Sequence, residues 1–326
     1  MQRSDAIVAI SDGRAGNARQ ALALAEALAE GAAVRHVQLL PHAPWRWLAP
    51  RRCPGTRWAF GPGFAALLAA PPAIAVGCGR QAALATRLLR GRGSRAVQIL
   101  DPRLSPRHWD ALVVPEHDAL RGPNVLTLVG SLNPVDDAWL QRGRQAFAAL
   151  GTLPSPRIAL LVGGPTAQAP WGEDDAAALF AAVAARLRHD GGSVLATTSR
   201  RTPAAVCDAL RRAFADVPGR LWCGDGDGPN PYPGLLGWAE RIVCTPDSAN
   251  LLSEACATRV PVQVALPGCA RGRMQALQDR LLQSGRIVLA GAIPAAAEAA
   301  TAAPLRETAR VARQLRPLLR PLLLPA

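Results

Sequence analysis

Lysine is absent from this 326-residue sequence, and all 37 of its basic residues are arginine. They outnumber 24 acidic residues and give a net charge of +13. Because an excess of alanine, glycine and proline accompanies the missing lysine, a GC-rich codon bias explains it most simply. The charge alone therefore does not indicate nucleic-acid binding, for which the sequence also has no reader motif. Guanidinium groups still favour anionic partners, since their planar fork of donors fits phosphate and carboxylate.

The sequence also lacks the patterns of a cysteine framework, a targeting segment and a membrane span. The seven cysteines are scattered and no pair has metal-knuckle spacing, which argues against a disulfide scaffold and indicates reduced thiols in a cytosolic protein. The N-terminal run AIVAI is typical of a first strand rather than a targeting segment. Prolines and glycines interrupt the longest uncharged stretch, residues 58–79, so it predicts a short helix and a strand and no membrane span.

What is present fits a large, well-packed α/β protein. Apolar residues make up 49% of the chain, and its length favours two domains over one. Short apolar runs alternate with helical stretches along nearly the whole sequence, the pattern of βα units and parallel sheets. The segment GTLPSP at 151–156 has the composition of a linker. We therefore predict two doubly wound, Rossmann-like domains, 1–150 and 151–300, facing each other across a cleft, and a helical tail at 301–326.

The tail has two interpretations. Its arginines recur at helical intervals opposite leucine and valine, so it would either lie on a membrane or pack back on the first domain. Pro317 and Pro321 favour the second interpretation, because proline limits a free amphipathic helix.

The predicted elements alternate regularly in both domains. The first domain has strands at 6–10, 34–39, 73–76, 96–100, 111–114 and 125–128, and helices at 18–29, 79–89 and 136–150. The second has strands at 157–162, 193–197, 220–222, 241–244, 260–265 and 287–289, and helices at 173–189, 203–214, 249–258 and 274–284. A loop is predicted at 224–233. Ligands of such sheets bind beyond the carboxyl ends of the strands, so we expect functional residues in the loops there.

The loop after the first strand, SDGRAGNARQ, feeds directly into a helix. Backbone amides and a positive helix end make such a turn suitable for an anion or a polyol. Its glycines, Gly13 and Gly16, match neither the Walker nor the dinucleotide fingerprint, so the turn is equally consistent with a simple connection. The loop also carries four polar side chains: Asp12, Arg14, Asn17 and Gln20.

Two loops of the second domain have the composition of a phosphate site. Gly163 and Gly164 end a strand, where they allow either a closely approaching ligand or a tight turn. Ser199, Arg200 and Arg201 end the next strand just before a helix, and hydroxyls with guanidinium groups suit a phosphate or diphosphate there. The plainer interpretation of this second loop is an N-cap.

A third loop, in the stretch IVCTPDSANLLSEA, brings acidic and hydroxyl groups to the start of a helix. Their oxygens would bind the hydroxyls of a sugar or ribose, and the helix amides would face a phosphate. A capping residue and a buried glutamate are the alternative. The four residues are Asp247, Ser248, Ser253 and Glu254.

The ordered motifs DGRAGNARQ, DPR, PEHD, GGP, TTSRRTP, NPY, DSANLLSEA and PVQV resemble the bacterial branch of the mitochondrial fission (elongated mitochondria, Elm-type) family over about residues 5–290. In plants, members of that family act at the mitochondrial surface in recruiting a dynamin-related protein. The second-domain pattern is also similar to GT-B glycosyltransferases that act on lipid-linked acceptors at the inner face of the bacterial membrane.

This resemblance implies a GT-B-like fold and a metal-independent glycosyltransferase whose nucleotide-sugar substrate is held by the second domain, with no cofactor. Gly163 and Gly164 would approach the diphosphate, while Ser199, Arg200 and Arg201 would neutralise it. Asp247, Ser248 and Glu254 would contact the ribose or the sugar. Asn230 and Ser253 are the remaining candidates for donor binding. The first-domain loop would face the acceptor, an envelope lipid or glycan.

One departure from the family affects catalysis. The family often has histidine where this chain has Asn17, and an asparagine cannot accept a proton. The candidate bases are then Asp12 and the cluster of Glu116, His117 and Asp118 after the strand at 111–114. The alternative function is a non-catalytic GT-B-like scaffold that binds a protein partner at a membrane.

Residues 44–60 hold three tryptophans, one phenylalanine and four arginines. Amphipathic rings beside cations suit the headgroup layer of an anionic bilayer, which would make the protein cytoplasmic and peripheral on the inner membrane. The alternative is that the tryptophans pack under a loop against the first sheet.

Overall fold

The computed structural model describes residues 4–289 and 303–319. The chain forms two compact units: unit 1 is Met1–Pro134 with Glu307–Ala326, and unit 2 is Val135–Arg306. The chain therefore passes from unit 1 to unit 2 after Pro134, before the expected boundary at residue 150. Part of the expected tail, and Pro321 in it, lies outside the described residues.

Unit 1 is built on a parallel sheet of six strands in the order β2-β1-β3-β4-β5-β6. Every residue of β3 and of β5 is buried, as expected for parallel strands covered by helices on both faces. The strands are β1 Ser4–Ser11, β2 Val34–Gln38, β3 Pro72–Cys78, β4 Arg95–Ile99, β5 Ala111–Pro115 and β6 Val125–Leu128.

Five α-helices accompany this sheet in the described part of unit 1. Those packed on one face share a core with the strands that includes Leu24 and Leu315, and those on the other share a core that includes Phe64 and Leu84. The last of the described helices packs against the first, and Arg316 donates to the carbonyl oxygen of Ala27. The helices are α1 Ala15–Ala29, α2 Trp45–Leu48, α3 Pro62–Ala69, α4 Arg80–Arg90 and α11 Glu307–Leu319.

Unit 2 is also built on a parallel sheet of six strands, but in the different order β12-β11-β10-β7-β8-β9. Its strands are β7 Arg157–Val162, β8 Ser193–Thr198, β9 Gly219–Trp222, β10 Arg241–Cys244, β11 Val262–Val264 and β12 Val288–Leu289. Its helices are α5 Asp137–Ala146, α6 Glu173–Asp190, α7 Ala204–Ala213, α8 Tyr232–Trp238, α9 Ala249–Cys256 and α10 Gly272–Gln283. No described helix is both long and apolar enough to span a membrane.

The predicted strands are all present within two residues at either end. The loop expected at 224–233 is shorter by two residues, because α8, a helix that was not predicted, begins at Tyr232. The helix predicted at 136–150 is also shorter, because α5 stops at Ala146 and a 3-10 turn follows over Ala148–Thr152. Since α5 and α8 pack together, α5 belongs to unit 2.

Candidate functional site

Three loops of unit 2 meet at the carboxyl edge of its sheet. They follow β7, β8 and β10, which are neighbours in the sheet and run parallel, so their carboxyl ends lie side by side. The loops supply Gly163 and Gly164 after β7, Ser199 to Thr202 after β8, and Asp247 before α9. The structure thus brings together three of the motifs that the sequence singles out.

Asp247 is the centre of this edge. Its side chain is fully buried, and its carboxylate accepts hydrogen bonds from the Gly164 amide at 2.8 Å and from Trp171 Nε1 at 3.0 Å. Arg201 approaches the same carboxylate at 3.4 Å. A buried carboxylate is costly unless it is paired and hydrogen bonded, and here three donors from two other loops satisfy it. Asp247 therefore holds the edge together.

The two glycines are needed for this packing. A Cβ on Gly163 would lie 2.0 Å from Oδ2 of Asp247, and one on Gly164 would lie 2.4 Å from the carbonyl oxygen of Arg201. The Gly163 amide donates to Thr245 Oγ1 at 2.8 Å, so side chains of unit 2 engage both glycine amides. The approach of a diphosphate to these glycines stays a prediction, and it would need donors other than these two amides.

The loop after β8 supplies such donors. Ser199 and Thr202 hydrogen bond to each other at 3.1 Å, and Thr202 Oγ1 donates to the Gly163 carbonyl oxygen, which fixes the loop against β7. Arg200 is exposed, and the Arg201 side chain is 53% exposed although it pairs with Asp247. Thr202 is not the helix cap, since α7 begins after Pro203 without a side-chain cap.

A pocket of about 360 Å³ adjoins this loop. It is lined by residues that include Thr202, Cys207, Arg211, Cys223 and Asp227. Both carboxylate oxygens of Asp227 accept from Arg211, at 3.1 and 3.0 Å, and Oδ2 also accepts from the Cys223 amide at 2.6 Å. That amide bond, followed by the one from Arg211, lowers the pKa of Asp227. Burial raises the pKa of the Cys223 thiol to about 11.

Of the candidates on and before α9, Ser248 is partly buried and the others are buried. Ser248 caps the helix by accepting from the Leu251 amide at 3.4 Å. Ser253 donates back to the Ala249 carbonyl oxygen at 2.6 Å, and Glu254 is 1% exposed and accepts from the Tyr232 hydroxyl. The capping residue and the buried glutamate of the plainer interpretation are thus both present.

The last candidate of unit 2 is Asn230. It is exposed, and its Oδ1 accepts from the Tyr232 amide at 3.0 Å, next to the start of α8. The described residues contain no cluster of three or more histidine, cysteine, aspartate or glutamate side chains that could hold a metal ion.

In unit 1 the loop after β1 is organised around Asp12. Its Oδ1 accepts from Asn17 Nδ2 at 2.9 Å and from the Arg14 amide at 3.2 Å. The Asn17 amide oxygen accepts from the Cys78 thiol at 3.6 Å, so Asn17 connects this loop to the end of β3. Burial, and then the charge of Asp12, raise the pKa of that thiol far above its usual range.

The glycines of this loop have distinct surroundings. Gly13 has φ of +81°, in the left-handed region, and a Cβ there would lie 2.5 Å from Gln38 Nε2. Gly16 lies in the first turn of α1, and Gln20 in the same helix is buried. Arg14 is the exposed cation of the loop, with its side chain 84% accessible.

Glu116, His117 and Asp118 follow β5 in a turn. Arg121 donates to the carbonyl oxygens of Glu116 and Asp118, and Asp118 is buried whereas Glu116 is exposed. Two strands, β3 and β4, separate β5 from β1 in the sheet. At about 4.8 Å between neighbouring strands, this cluster lies roughly 14 Å from the Asp12 loop. The candidate bases are therefore alternatives and do not act as one group.

Two residues that form hydrogen bonds at the sheet edge around Asp247 were not predicted from the sequence. They are Trp171 and Thr245. Trp171 is buried and donates to Asp247, while Thr245 accepts from Gly163. A threonine that directly follows β10 is a polar group at a strand end, so Thr245 could have been found by the rule used for Asp247. Nothing local to Trp171 indicates that its indole N–H meets a carboxylate 76 residues away.

The family model of mitochondrial fission ELM1 matches residues 15–319. A relative, the mitochondrial fission protein ELM1 of Arabidopsis thaliana, is 29% identical over 272 residues, which are 75% of this chain and 63% of that protein. The chain thus spans less than two thirds of the length of this relative.

Solved structures show the fold. A UDP-GlcNAc 2-epimerase from Methanocaldococcus jannaschii has a TM-score of 0.59 at 12% identity, with 95% of this chain and 99% of that one covered. The Neisseria meningitidis UDP-GlcNAc 2-epimerase bound to UDP-GlcNAc has a TM-score of 0.50 at 11% identity, with 95% and 91% covered. With a parallel six-stranded sheet in each unit, the fold is GT-B-like, and that prediction is confirmed.

Proposed function

The chain belongs to the mitochondrial fission ELM1 family, and from that premise we propose that it is a GT-B-type glycosyltransferase. Unit 2 binds a nucleotide sugar, and the sugar moves to an envelope lipid or glycan without a metal ion or cofactor. The observation that carries the proposal is the placement of Arg201. Its guanidinium pairs with buried Asp247 where three strand-end loops meet, yet it is still half exposed.

Arg201 suits a diphosphate because it is fixed and has spare donors. A guanidinium has five N–H groups in a rigid fork. In Arg201, one nitrogen donates to the Asp247 carboxylate at 3.4 Å. The rest of the fork is available to bidentate contact with phosphate oxygens. Arg200 adds a second exposed cation, and the start of α7 adds helix amides without a side-chain cap. Such groups stabilise the negative charge of a departing nucleoside diphosphate.

The pocket beside this loop suits the rest of the donor. Its volume of about 360 Å³ is within the range of small-molecule sites, and Thr202 belongs both to its lining and to the loop that carries Arg201. A nucleoside in the pocket would therefore place its phosphates near Arg201. Since an epimerase of the same fold binds UDP-GlcNAc, uridine diphosphate sugars are the first donors to test.

In unit 1, Asp12 is the proposed base for the acceptor hydroxyl. Asn17 and the Arg14 amide both donate to Oδ1 and so orient the carboxylate. Its Oδ2 lies 3.9 Å from Arg14 Nε and receives neither of those two bonds. A carboxylate oriented in this way can accept a proton from a bound hydroxyl. Glu116 and His117 are the alternative base candidates.

A thermal-shift titration with UDP and UDP-GlcNAc tests donor binding. A ligand at a hundred times its Kd stabilises the native state by about 2.7 kcal/mol, so the melting temperature should rise. The rise should be lost in Arg201→Ala and kept in Arg188→Ala. Arg188 is a matched control because it is also half exposed and paired with an aspartate, Asp216, but lies at the end of α6. No shift with any nucleoside diphosphate or sugar conjugate would refute the proposal.

A second candidate is a scaffold that binds a protein partner at a membrane. It is favoured by Asn17, because a side-chain amide occupied by Asp12 and Cys78 transfers no proton. Nucleotide-sugar binding without release of nucleoside diphosphate, tested with lipid-extract acceptors, would favour the scaffold. Release of nucleoside diphosphate that Asp12→Asn abolishes would favour the transferase.

A further inference from the structure

Exposed apolar side chains are concentrated in one short part of unit 1. Of the six large apolar side chains exposed in the described residues, four lie between positions 40 and 58. They are Leu40, Trp47, Leu48 and Trp58, with exposures of 52, 65, 44 and 56%. We call these four, together with Arg46, Arg51, Arg52 and Arg57, the apolar-basic surface. Exposed apolar side chains that form one patch are typical of interaction sites.

The segment that carries this surface is well anchored. Trp45 packs partly buried against the core, and its Nε1 donates to the Pro54 carbonyl oxygen at 3.1 Å. Phe60 is buried, and Thr56 is buried and accepts from the Cys53 amide at 2.9 Å. The tryptophans of this segment therefore differ in their surroundings, and contact with a bilayer stays a prediction. Trp45 packs under the loop, while Trp47 and Trp58 face solvent on a fixed support.

The charge around the surface is of one sign. Residues 31–100 contain ten arginines and no aspartate or glutamate. Arg46, Arg51, Arg52 and Arg57 are exposed, and none forms an ion pair with a carboxylate within residues 4–289 and 303–319. The Arg57 guanidinium lies 3.8 Å from the ring centre of Trp58, so a cation and an indole are presented together.

We propose that the apolar-basic surface docks unit 1 on a bilayer that contains anionic lipid. Indole rings favour the boundary between headgroups and acyl chains, where Trp47 and Trp58 would insert. The arginines would then contact lipid phosphates, which attract juxtamembrane cations. A lipid surface fits better than a protein, because four exposed guanidiniums without a carboxylate partner among the described residues lie close in sequence to four exposed apolar side chains, and cations beside apolar groups suit a headgroup layer. This inference does not rest on donor binding by unit 2.

Co-sedimentation of the full chain with vesicles tests the proposal. We expect binding to vesicles of equal parts phosphatidylglycerol and phosphatidylcholine, and little binding to phosphatidylcholine alone. Salt at about 1 M should release the protein, since the Debye length falls to about 3 Å. Equal binding to both vesicle types, or none to either, would overturn the proposal. Failure to bind lipid, combined with saturable binding to a polyglutamate peptide, would assign the surface to an acidic protein instead.

Two sets of variants separate the contributions of the tryptophans and of the arginines to vesicle binding. Trp47→Ala with Trp58→Ala should remove the quenching of tryptophan fluorescence by brominated lipid. Arg46→Gln, Arg51→Gln and Arg57→Gln together should weaken binding roughly a hundredfold, at about one decade or less for each cation. Leu282→Ala and Arg188→Gln are matched controls, because both residues are exposed in unit 2, and they should bind as wild type.

Each variant must melt as wild type, which is expected because these side chains are exposed. Vesicle binding by the tryptophan and arginine variants at wild-type strength would refute the assignment of this surface. The UDP thermal shift of unit 2 should be unchanged in the tryptophan and arginine variants. The proposal for the donor site and the proposal for the lipid surface can therefore be refuted separately.

Discussion

Arg306 donates two hydrogen bonds, of 2.6 and 2.9 Å, to the two carboxylate oxygens of Asp137. The two residues are 169 positions apart in sequence, yet each lies within three residues of a place where the chain passes between units. Arg259 donates to the same carboxylate at 2.8 and 3.2 Å. The ion-pair cluster therefore fastens both ends of unit 2 to each other.

This cluster predicts a pH-dependent contribution to stability. Hydrogen bonds from Arg306, and then from Arg259, hold the pKa of Asp137 well below its usual value of 3.8. A lowered folded-state pKa stabilises the fold above that usual value, and the contribution is lost as the pH falls below it. Asp137→Asn should lower the free energy of unfolding at neutral pH by under about 1 kcal/mol, because the pair is partly exposed.

Urea unfolding at several pH values measures this effect. The difference between wild type and Asp137→Asn should shrink as the pH falls below 3.8. Asp279→Asn, which removes an exposed carboxylate from α10, is the control and should show no such trend. A difference that persists unchanged in acid would contradict an ion-pair origin.

Gly163→Ala should destabilise unit 2 by about 1–3 kcal/mol, the usual cost of overpacking. Its new Cβ would meet the Asp247 carboxylate at 2.0 Å, and that carboxylate cannot move without losing its donors. Gly226→Ala is the control, because nothing lies within 4 Å of its added Cβ. Thermal melting of the two variants measures the contrast, and equal melting temperatures would mean that the edge relaxes freely.

Trp171→Phe tests how strongly the buried carboxylate depends on its donors. The substitution keeps an aromatic ring but removes the N–H that reaches Asp247 at 3.0 Å. Hydrogen bonds to charged groups contribute about 1.5–3 kcal/mol, so the free energy of unfolding should fall by that order. Trp238→Phe is matched in size and loses a bond to a neutral carbonyl oxygen, that of Phe147. It should cost only about 1 kcal/mol.

Tyr232→Phe distinguishes a structural from a ligand-binding role for Glu254. It removes the hydroxyl that donates to this buried carboxylate and should lower stability by about 1–3 kcal/mol. If Glu254 acts within the core, the size of the UDP thermal shift should remain at its wild-type value. Loss of the shift in this variant, measured beside Arg201→Ala, would instead place Glu254 in contact with the donor.

The sheets were predictable because their strands are buried on both faces and read as short apolar runs between helical stretches. Helix α8 was missed because its sequence, YPGLLGW, contains the residues of a turn. The two glycines of this helix are needed because other residues pack closely against it. A Cβ on Gly234 would lie 2.5 Å from Cβ of Phe147, and one on Gly237 would lie 2.8 Å from the Leu140 carbonyl oxygen.

For the candidate site, the sequence located the loops but not the direction of their side chains. Asp247 and Arg201 were placed at one edge correctly, since parallel strands end together. That Asp247 turns inward to the amide of Gly164 depends on residues 83 positions away. Local patterns carry no signal for a contact of that kind, so the occupied amides could be found only in the folded structure.

Helix α11 has a consequence for biosynthesis. Val311, Ala312, Leu315 and Leu319 are buried in the same core as α1 and the first strands, although unit 2 separates them in sequence. During translation, the face of α1 that packs against α11 therefore stays uncovered by α11 until the whole of unit 2 has been synthesised. Unit 1 begins synthesis first but completes its core last, because α11 is translated after the whole of unit 2.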